Sequence, residues 1–425
     1  MRAYSAPGKA LLAGGYLVID PQYSAYVTAL SACMHLVVTS QKSQDHSKVT
    51  VKSPQFEQGL WEYKLIRSDH GWEAHEIQGR TNPFLEATLV TVWNYWGEVD
   101  PVAFDITIYL DAGFHAPSEL IKQSSNGSQK FYFHDKEINN VPKTGLGSSA
   151  GLVVVVSAAL LGEFVSDIGK QKDLLHNIAQ VAHCLAQGKI GSGFDVAAAV
   201  YGSIKFQRFD PKLVESAINK PSEVKSICDR PWKFGHEPIS LPPRIKLLMG
   251  DVSGGSNTPK LVSQVLQWKK DKSAEALEIY TQLNDANERF MASLTKLQEL
   301  ADADLVAYEK SVTAKTSPLL LELSSNIADI RRWIREMTQK SGAAIEPSEQ
   351  TDLLDACSGL SGCIGGVVPG AGGYDAICVL VLENKIDEFK AEFSLKSQYS
   401  NINWLDLEER LTGIQMEIPN NYHFT

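Results

Sequence analysis

Pro142-Lys143-Thr144-Gly145-Leu146-Gly147-Ser148-Ser149-Ala150 runs straight into the apolar segment Gly151 to Phe164. Two glycines let the backbone turn tightly and approach a ligand closely, and two serines can cap a helix and offer hydroxyls. If a helix starts here, its free N–H groups and its dipole favour an anion, and a nucleotide triphosphate fits physically. An ordinary helix start has the same appearance, and the valines from Val153 to Val156 also suit a buried strand. A Walker A loop needs G-x-x-x-x-G-K-S/T, and no such string occurs. The dinucleotide run G-x-G-x-x-G also fails, because the sixth position counted from Gly145 is Ala150. A third way of binding phosphate is required.

The composition around this loop narrows the protein class. With 425 residues, 44% hydrophobic and 21% charged, the chain has material for two domains with sizeable cores, which excludes a small disulfide scaffold and global disorder. Fifty acidic against forty basic residues give a formal charge of −10, which argues against a nucleic-acid groove built on bulk positive charge but leaves room for a local cationic pocket. The longest nearly apolar stretch, Leu152 to Leu161, is about half of the roughly 20 residues a bilayer span needs. The N-terminus lacks the zones of a signal peptide, so the expectation is a soluble, cytoplasmic protein with no membrane insertion. Cys33, Cys184, Cys228, Cys357, Cys363 and Cys378 form no C-x-x-C pair and read as reduced core thiols. His115, His134, His183 and His236 show no metal-binding spacing and no hydrolase order.

Strand patterning dominates the first forty residues, and Gln41 to Arg80 reads as peripheral hairpins. Asn82 to Trp96 has helical spacing, with Trp93 and Trp96 as packing residues. Ala103 to Leu110 alternates as a strand and precedes a Ser-rich loop through about Lys130. Six prolines between Asp210 and Pro243 are more than a regular element tolerates, which predicts an N-terminal domain over 1–210, a connection over 211–243 and a second domain over 244–425. In the latter, Ile245 to Met249 and Ala376 to Leu382 read as strands. Pro259 to Lys272, Ala274 to Thr313, Leu319 to Ser341, Thr351 to Ile364 and Lys385 to Phe393 read as helices, with a glycine-rich loop over Gly365 to Gly373. Mixed α/β content in both halves is the result.

Three separated motifs and a fourth segment together resemble the GHMP kinases, the superfamily of galactose, homoserine, mevalonate and phosphomevalonate kinases. Ala6-Pro7-Gly8-Lys9-Ala10-Leu11-Leu12-Ala13-Gly14-Gly15 is similar to the first family motif and Lys143 to Ala150 to the second, the ATP phosphate loop. Gly365 to Tyr374, with Pro369-Gly370-Ala371-Gly372-Gly373, is similar to the third, and Gly191 to Gly202 to the catalytic aspartate region. The matches span residues 6 to 374. Where most members carry Glu-His this chain has Gly15-Tyr16, and where they carry a longer glycine run it has Gly373-Tyr374-Asp375. Both departures resemble the branch that phosphorylates 5-phosphomevalonate, as do Lys143-Thr144, Tyr201-Gly202-Ser203 and Asp251 to Ser256.

The resemblance implies an α+β architecture: a domain like domain 2 of ribosomal protein S5, then a ferredoxin-like domain, with ATP and acceptor in the cleft between them. It implies ATP and Mg²⁺, with Lys143, Gly145, Leu146, Gly147, Ser148, Ser149 and Ala150 around the phosphates and the hydroxyl of Ser148 or Ser149 on the metal. Lys9 would bridge the transferring phosphoryl and the acceptor, facing Asp195. Tyr16, Ser253, Gly254, Gly255 and Ser256 are expected to hold the acceptor's anionic groups, with Lys205 and Lys260 as further cations. Gly370, Ala371, Gly372 and Gly373 would stiffen the cleft floor. Because a phosphomonoester has its second pKa at about 6, the acceptor is largely ionised at neutral pH and Asp195 is expected to orient rather than abstract a proton. Another small-molecule acceptor such as mevalonate, and a nucleotide sensor without turnover, are the alternatives. The retained Lys9, serines and Asp195 speak against the sensor.

Overall fold

Two long strands, both buried for most of their length, carry the first half of the chain. In the computed structural model, which describes residues 1–252, 255–313 and 317–424, they are β1 (Arg2–Ala13) and β2 (Ser24–Lys42), paired antiparallel. Beyond them follow β3 (Lys48–Lys52), β4 (Leu60–Ser68), β5 (Gly71–Glu76) and β6 (Val102–Leu110). A separate hairpin of β7 (Leu120–Gln123) and β8 (Lys130–Phe133) occupies part of the stretch expected to be loop. Next come β9 (Ile204–Gln207) and β10 (Gly235–Pro238). Among the described residues the main sheet runs β10-β9-β2-β6-β3-β4-β5, with β1 on the other edge of β2.

The register between β1 and β2 shifts from Pro7↔Cys33 to Lys9↔Ala29. This irregularity at Gly8 re-aims the strand just before Lys9, which rejoins the ladder opposite Ala29. A side chain at Gly8 would be crowded: a Cβ would stand 3.1 Å from Leu146 and Phe114, which would have to give way slightly.

Helices cover one face of the sheet: α1 (Pro83–Trp96), α2 (Ser148–Leu161), α3 (Lys172–Gln187) and α4 (Phe194–Tyr201). Buried nearly all round, α2 takes the form expected of a central helix, which decides the valine run in favour of helix over strand. Trp93 is fully buried with Trp96 edge-on at 4.9 Å, a packing pair as read.

The Pro-rich stretch does hold regular structure, contrary to expectation. Pro211 opens α5 (Pro211–Asn219), where a missing N–H costs nothing, and α6 (Val224–Cys228) follows. Pro238 ends β10, which pairs with β9.

The second half forms a four-stranded antiparallel sheet in the order β12-β13-β11-β14, where β11 is Ile245–Asp251, β12 Cys363–Val367, β13 Ala376–Leu382 and β14 Asn403–Leu405. Helices α7 (Thr258–Asp271), α8 (Ser273–Ala303), α9 (Leu305–Ser311), α10 (Pro318–Ser341), α11 (Ser348–Ser358) and α12 (Ile386–Ser394) surround it. Two expected elements differ. The helix read from Ala274 to Thr313 breaks at Asp304, whose side chain caps α9 by accepting from Ala307 N–H at 3.0 Å. The helix read to Ile364 ends at Ser358, and the apolar residues beyond it enter β12. Finally β15 (Gln415–Glu417) returns to pair with β1, so the C-terminal segment binds both sheets. All six cysteines are free and buried, and no described helix is long and apolar enough to cross a membrane.

Candidate active site

Lys9 touches the glycine-rich loop twice. Its backbone N–H donates to the Leu146 carbonyl at 3.0 Å, and its Nζ donates to the Gly145 carbonyl at 3.0 Å. The loop is anchored from behind, since Thr144 Oγ1 donates to the Gly113 carbonyl and Thr144 N–H to that of Phe114 at 3.2 Å. Gly145 and Gly147 have φ of 81° and 80°, in the left-handed region that glycine adopts without strain. A Cβ on Gly147 would stand 3.2 Å from Lys9 Cε. Gly147 is the N-cap of α2 and no side chain caps that helix, so its N-terminus is left for an anion.

Opposite the loop, Asp195 sits in the first turn of α4 behind Gly193, whose φ is 86°. Its Oδ1 accepts from Val196 N–H at 2.9 Å. Its Oδ2 lies 3.8 Å from His183 Nε2, and that nitrogen is 3.1 Å from Ser149 Oγ. Burial lowers the pKa of Lys9 from the usual lysine value, while Asp195 and the Cys378 thiol oppose the shift. Lys9, Gly145, Gly147, His183 and Asp195 line one cavity of about 450 Å³ with Tyr16 and residues 369–372.

Tyr16 is placed for a different task from the one expected. Its φ is 64°, its side chain is buried, and its hydroxyl donates to the Ala371 carbonyl at 2.8 Å. The first motif thereby holds the third, and Gly370 N–H adds a bond to the Leu11 carbonyl at 3.1 Å. A side chain at Gly15 would put its Cβ 2.8 Å from the Gly370 carbonyl oxygen, so the close approach of the two loops requires glycine there.

Several expected ligands, unlike Tyr16, are not on the cavity wall. Lys205 is 2.9 Å from Glu288 on α8, an ion pair that uses its charge, and Lys260 is an exposed residue of α7. Lys143 is exposed beside the loop and bridges to His115. Ser256 Oγ accepts from Tyr374 N–H at 2.7 Å, joining the start of α7 to the glycine loop. Gly255 is exposed, and Ser253 and Gly254 lie outside the described residues.

The cavity also holds residues that sequence reasoning passed over, among them Lys189, Asp375 and His183. Burial raises the pKa of the Asp375 carboxyl, with Ser256 opposing. Arg208 stands just behind the wall. It is 7% exposed and its guanidinium donates to the carbonyls of Ile19, Ile190 and Gly191, the last two at 3.1 and 2.6 Å. That fork fixes the loop that leads to Asp195. Only tertiary structure brings these partners together: a lone His carries no local signal, and from sequence Arg208 is one more candidate cation near the motifs.

Comparison with known proteins gives the family and the fold. The GHMP kinase N-terminal domain matches residues 119–203 and the GHMP kinase C-terminal domain residues 318–400. A phosphomevalonate kinase of Candida albicans is 50% identical over 99% of both chains, and one of Aspergillus fumigatus is 34% identical over 99% of this chain and 97% of its own. The chain belongs to the phosphomevalonate kinases. The fold agrees as well: the Streptococcus pneumoniae phosphomevalonate kinase, solved with phosphomevalonate and AMPPNP, superposes with a TM-score of 0.64 at 17% identity, covering 96% of this chain and 100% of that one. In this kinase, then, the cavity between the phosphate loop, α4 and the glycine loop is the candidate active site.

Proposed function

We propose that this cavity carries out the family's reaction, transfer of the γ-phosphoryl of ATP to the phosphate of 5-phosphomevalonate, giving 5-diphosphomevalonate and ADP, with the following division of labour. The observation that carries the reading is the convergence of Lys9, Asp195 and the uncapped N-terminus of α2 on one cavity. An acceptor phosphate oxygen attacks the γ-phosphorus as the bond to the β-phosphate oxygen breaks, and the electron pair leaves with ADP. Such a transfer is mostly positioning and charge neutralisation. Backbone N–H groups at Gly147 to Ser149 receive the phosphates, and the Lys9 ammonium bridges donor and acceptor. Asp195 orients that ammonium, because the acceptor is already ionised at neutral pH.

Among the described residues no group of three or more His, Cys, Asp or Glu forms a metal cage. The oxygen donors at the cleft, Ser148, Ser149 and Asp195, suit a Mg²⁺ that arrives on nucleotide phosphates and keeps waters. We assign it to the Ser149 hydroxyl and the Asp195 carboxylate, which face one another across His183; bound there, Mg²⁺ would neutralise charge on the phosphates. Lys189, the other lysine on the cavity wall, is proposed to attract the acceptor's anionic groups.

The test is coupled ADP release with Mg-ATP and either 5-phosphomevalonate or mevalonate, with Lys9→Met as control. Turnover on the phosphorylated acceptor alone, lost in the variant, is the expected result. Turnover on mevalonate alone would move the acceptor assignment, and ATP binding without turnover on either would favour a sensor.

A further inference from the structure

Four helices bring one ring to the centre of the site. His183, on α3, is 3% exposed, packs against the Phe84 ring of α1 at 5.5 Å between centroids, and still reaches the cavity wall. A single nitrogen, Nε2, faces Ser149 Oγ of α2 at 3.1 Å, the Gln187 side-chain nitrogen at 3.5 Å and Asp195 Oδ2 of α4 at 3.8 Å. The first distance is a hydrogen bond; the last is longer than one, though close enough for a charge to feel the ring dipole. The nitrogen therefore stands between a hydroxyl of the phosphate loop and the carboxylate assigned to orient Lys9.

We propose that His183 is a positioning residue for phosphoryl transfer: through Nε2 it holds the Ser149 hydroxyl and the Asp195 carboxylate in one fixed arrangement. The inference rests on the role proposed for Asp195. Asp195 Oδ1 is committed to the backbone of its own helix, so the direction of Oδ2 is set by the polar groups that act on it, the Lys9 ammonium and His183 Nε2, of which His183 is the one fixed by burial among the helices. A ring that only filled space would have no need of a nitrogen at this point, because its remaining surface packs against an aromatic neighbour.

Two substitutions separate the two roles with opposite signs. His183→Phe keeps an aromatic ring against Phe84 and removes the nitrogen, whereas His183→Gln discards the ring and keeps a side-chain N–H donor of similar reach. Each variant is assayed for kcat, for both KM values and for AMPPNP affinity, alone and combined with Asp195→Asn. A displaced catalytic group costs on the order of 100-fold, and that loss is expected in kcat of the Phe variant, with AMPPNP affinity retained within about threefold. The Gln variant should recover to within about tenfold of wild type, and the Phe substitution should add little to Asp195→Asn, because the two act as one unit.

Near-normal kcat in the Phe variant with a damaged Gln variant would overturn the inference, since that is the order a packing ring predicts. Losses that multiply in the double variant would overturn it too, as would loss of AMPPNP binding in both single variants. Should Asp195→Asn alone keep wild-type kcat, the role of Asp195 itself would fall. An inactive Asp195→Asn beside an unaffected His183→Phe would remove only the part assigned to His183.

Discussion

Tyr16→Phe separates two roles for one hydroxyl. The structure gives that hydroxyl to the Ala371 carbonyl at 2.8 Å, 355 residues along the chain, so it holds the glycine loop against the first motif. A hydrogen bond of this kind contributes about 0.5–1.5 kcal/mol net, and leaving a buried acceptor unpaired costs about 1–3 kcal/mol. Ala371 is partly exposed and lines the cavity, so water can reach its carbonyl and the lower end applies. The phenyl ring keeps the buried packing of Tyr16, which leaves a predicted loss of about 1 kcal/mol. For a domain of this size that is a fall of roughly 2–4 °C in Tm, measured by calorimetry without ligands. The same variant should raise the acceptor KM less than about threefold, because the hydroxyl proton it removes is already given to Ala371, and lower kcat modestly as the loop loosens. An acceptor KM raised more than tenfold, about 1.4 kcal/mol, with an unchanged Tm would refute this reasoning and return the hydroxyl to the substrate.

Three further outcomes follow from the geometry. Burial depresses the Lys9 pKa and Asp195 works against it, so the alkaline limb of kcat/KM should lie below 10.5. Asp195→Asn removes the opposing charge and should move the limb lower still in whatever activity remains; an upward movement on a pH-rate profile would contradict the coupling. Arg208→Lys keeps a charge but replaces two separated guanidinium nitrogens with a single ammonium, and is expected to raise the acceptor KM about tenfold while the ATP KM stays within a few fold. Equal losses for both substrates in steady-state kinetics would speak for a general structural role. Glu346, whose side chain is fully buried, binds the Arg331 guanidinium at 2.7 Å. Glu346→Ala leaves the buried Arg331 with only the exposed carboxylate of Asp355, at 2.7 Å, and should cost about 3 kcal/mol by urea unfolding, whereas the paired change Arg331→Met with Glu346→Leu should recover most of it.

What was legible in the sequence was whatever a short stretch of backbone demands of its own residues. Gly145, Gly147 and Gly193 stand where the chain needs positive φ, and β6 showed itself by alternation. The prolines misled for a related reason: Pro211 opens a helix and Pro238 closes a strand, positions where the missing N–H is not needed, so counting them made the segment read as an irregular connection. Charges were harder to read, because the use of a lysine depends on its partner. Nothing near Lys205 in sequence announces Glu288, 83 residues away, and nothing near Arg208 announces the Ile19 carbonyl. Arg208 and Tyr16 look like candidate ligands when taken alone, yet in the fold both spend their polar atoms on backbone carbonyls that form the cavity wall. A cleft that brings two phosphates together needs its few free cations held in place more than it needs many of them. That is why Lys9 is tied to the Gly145 carbonyl before any ligand arrives, and why a buried fork such as Arg208 fixes the loop leading to Asp195.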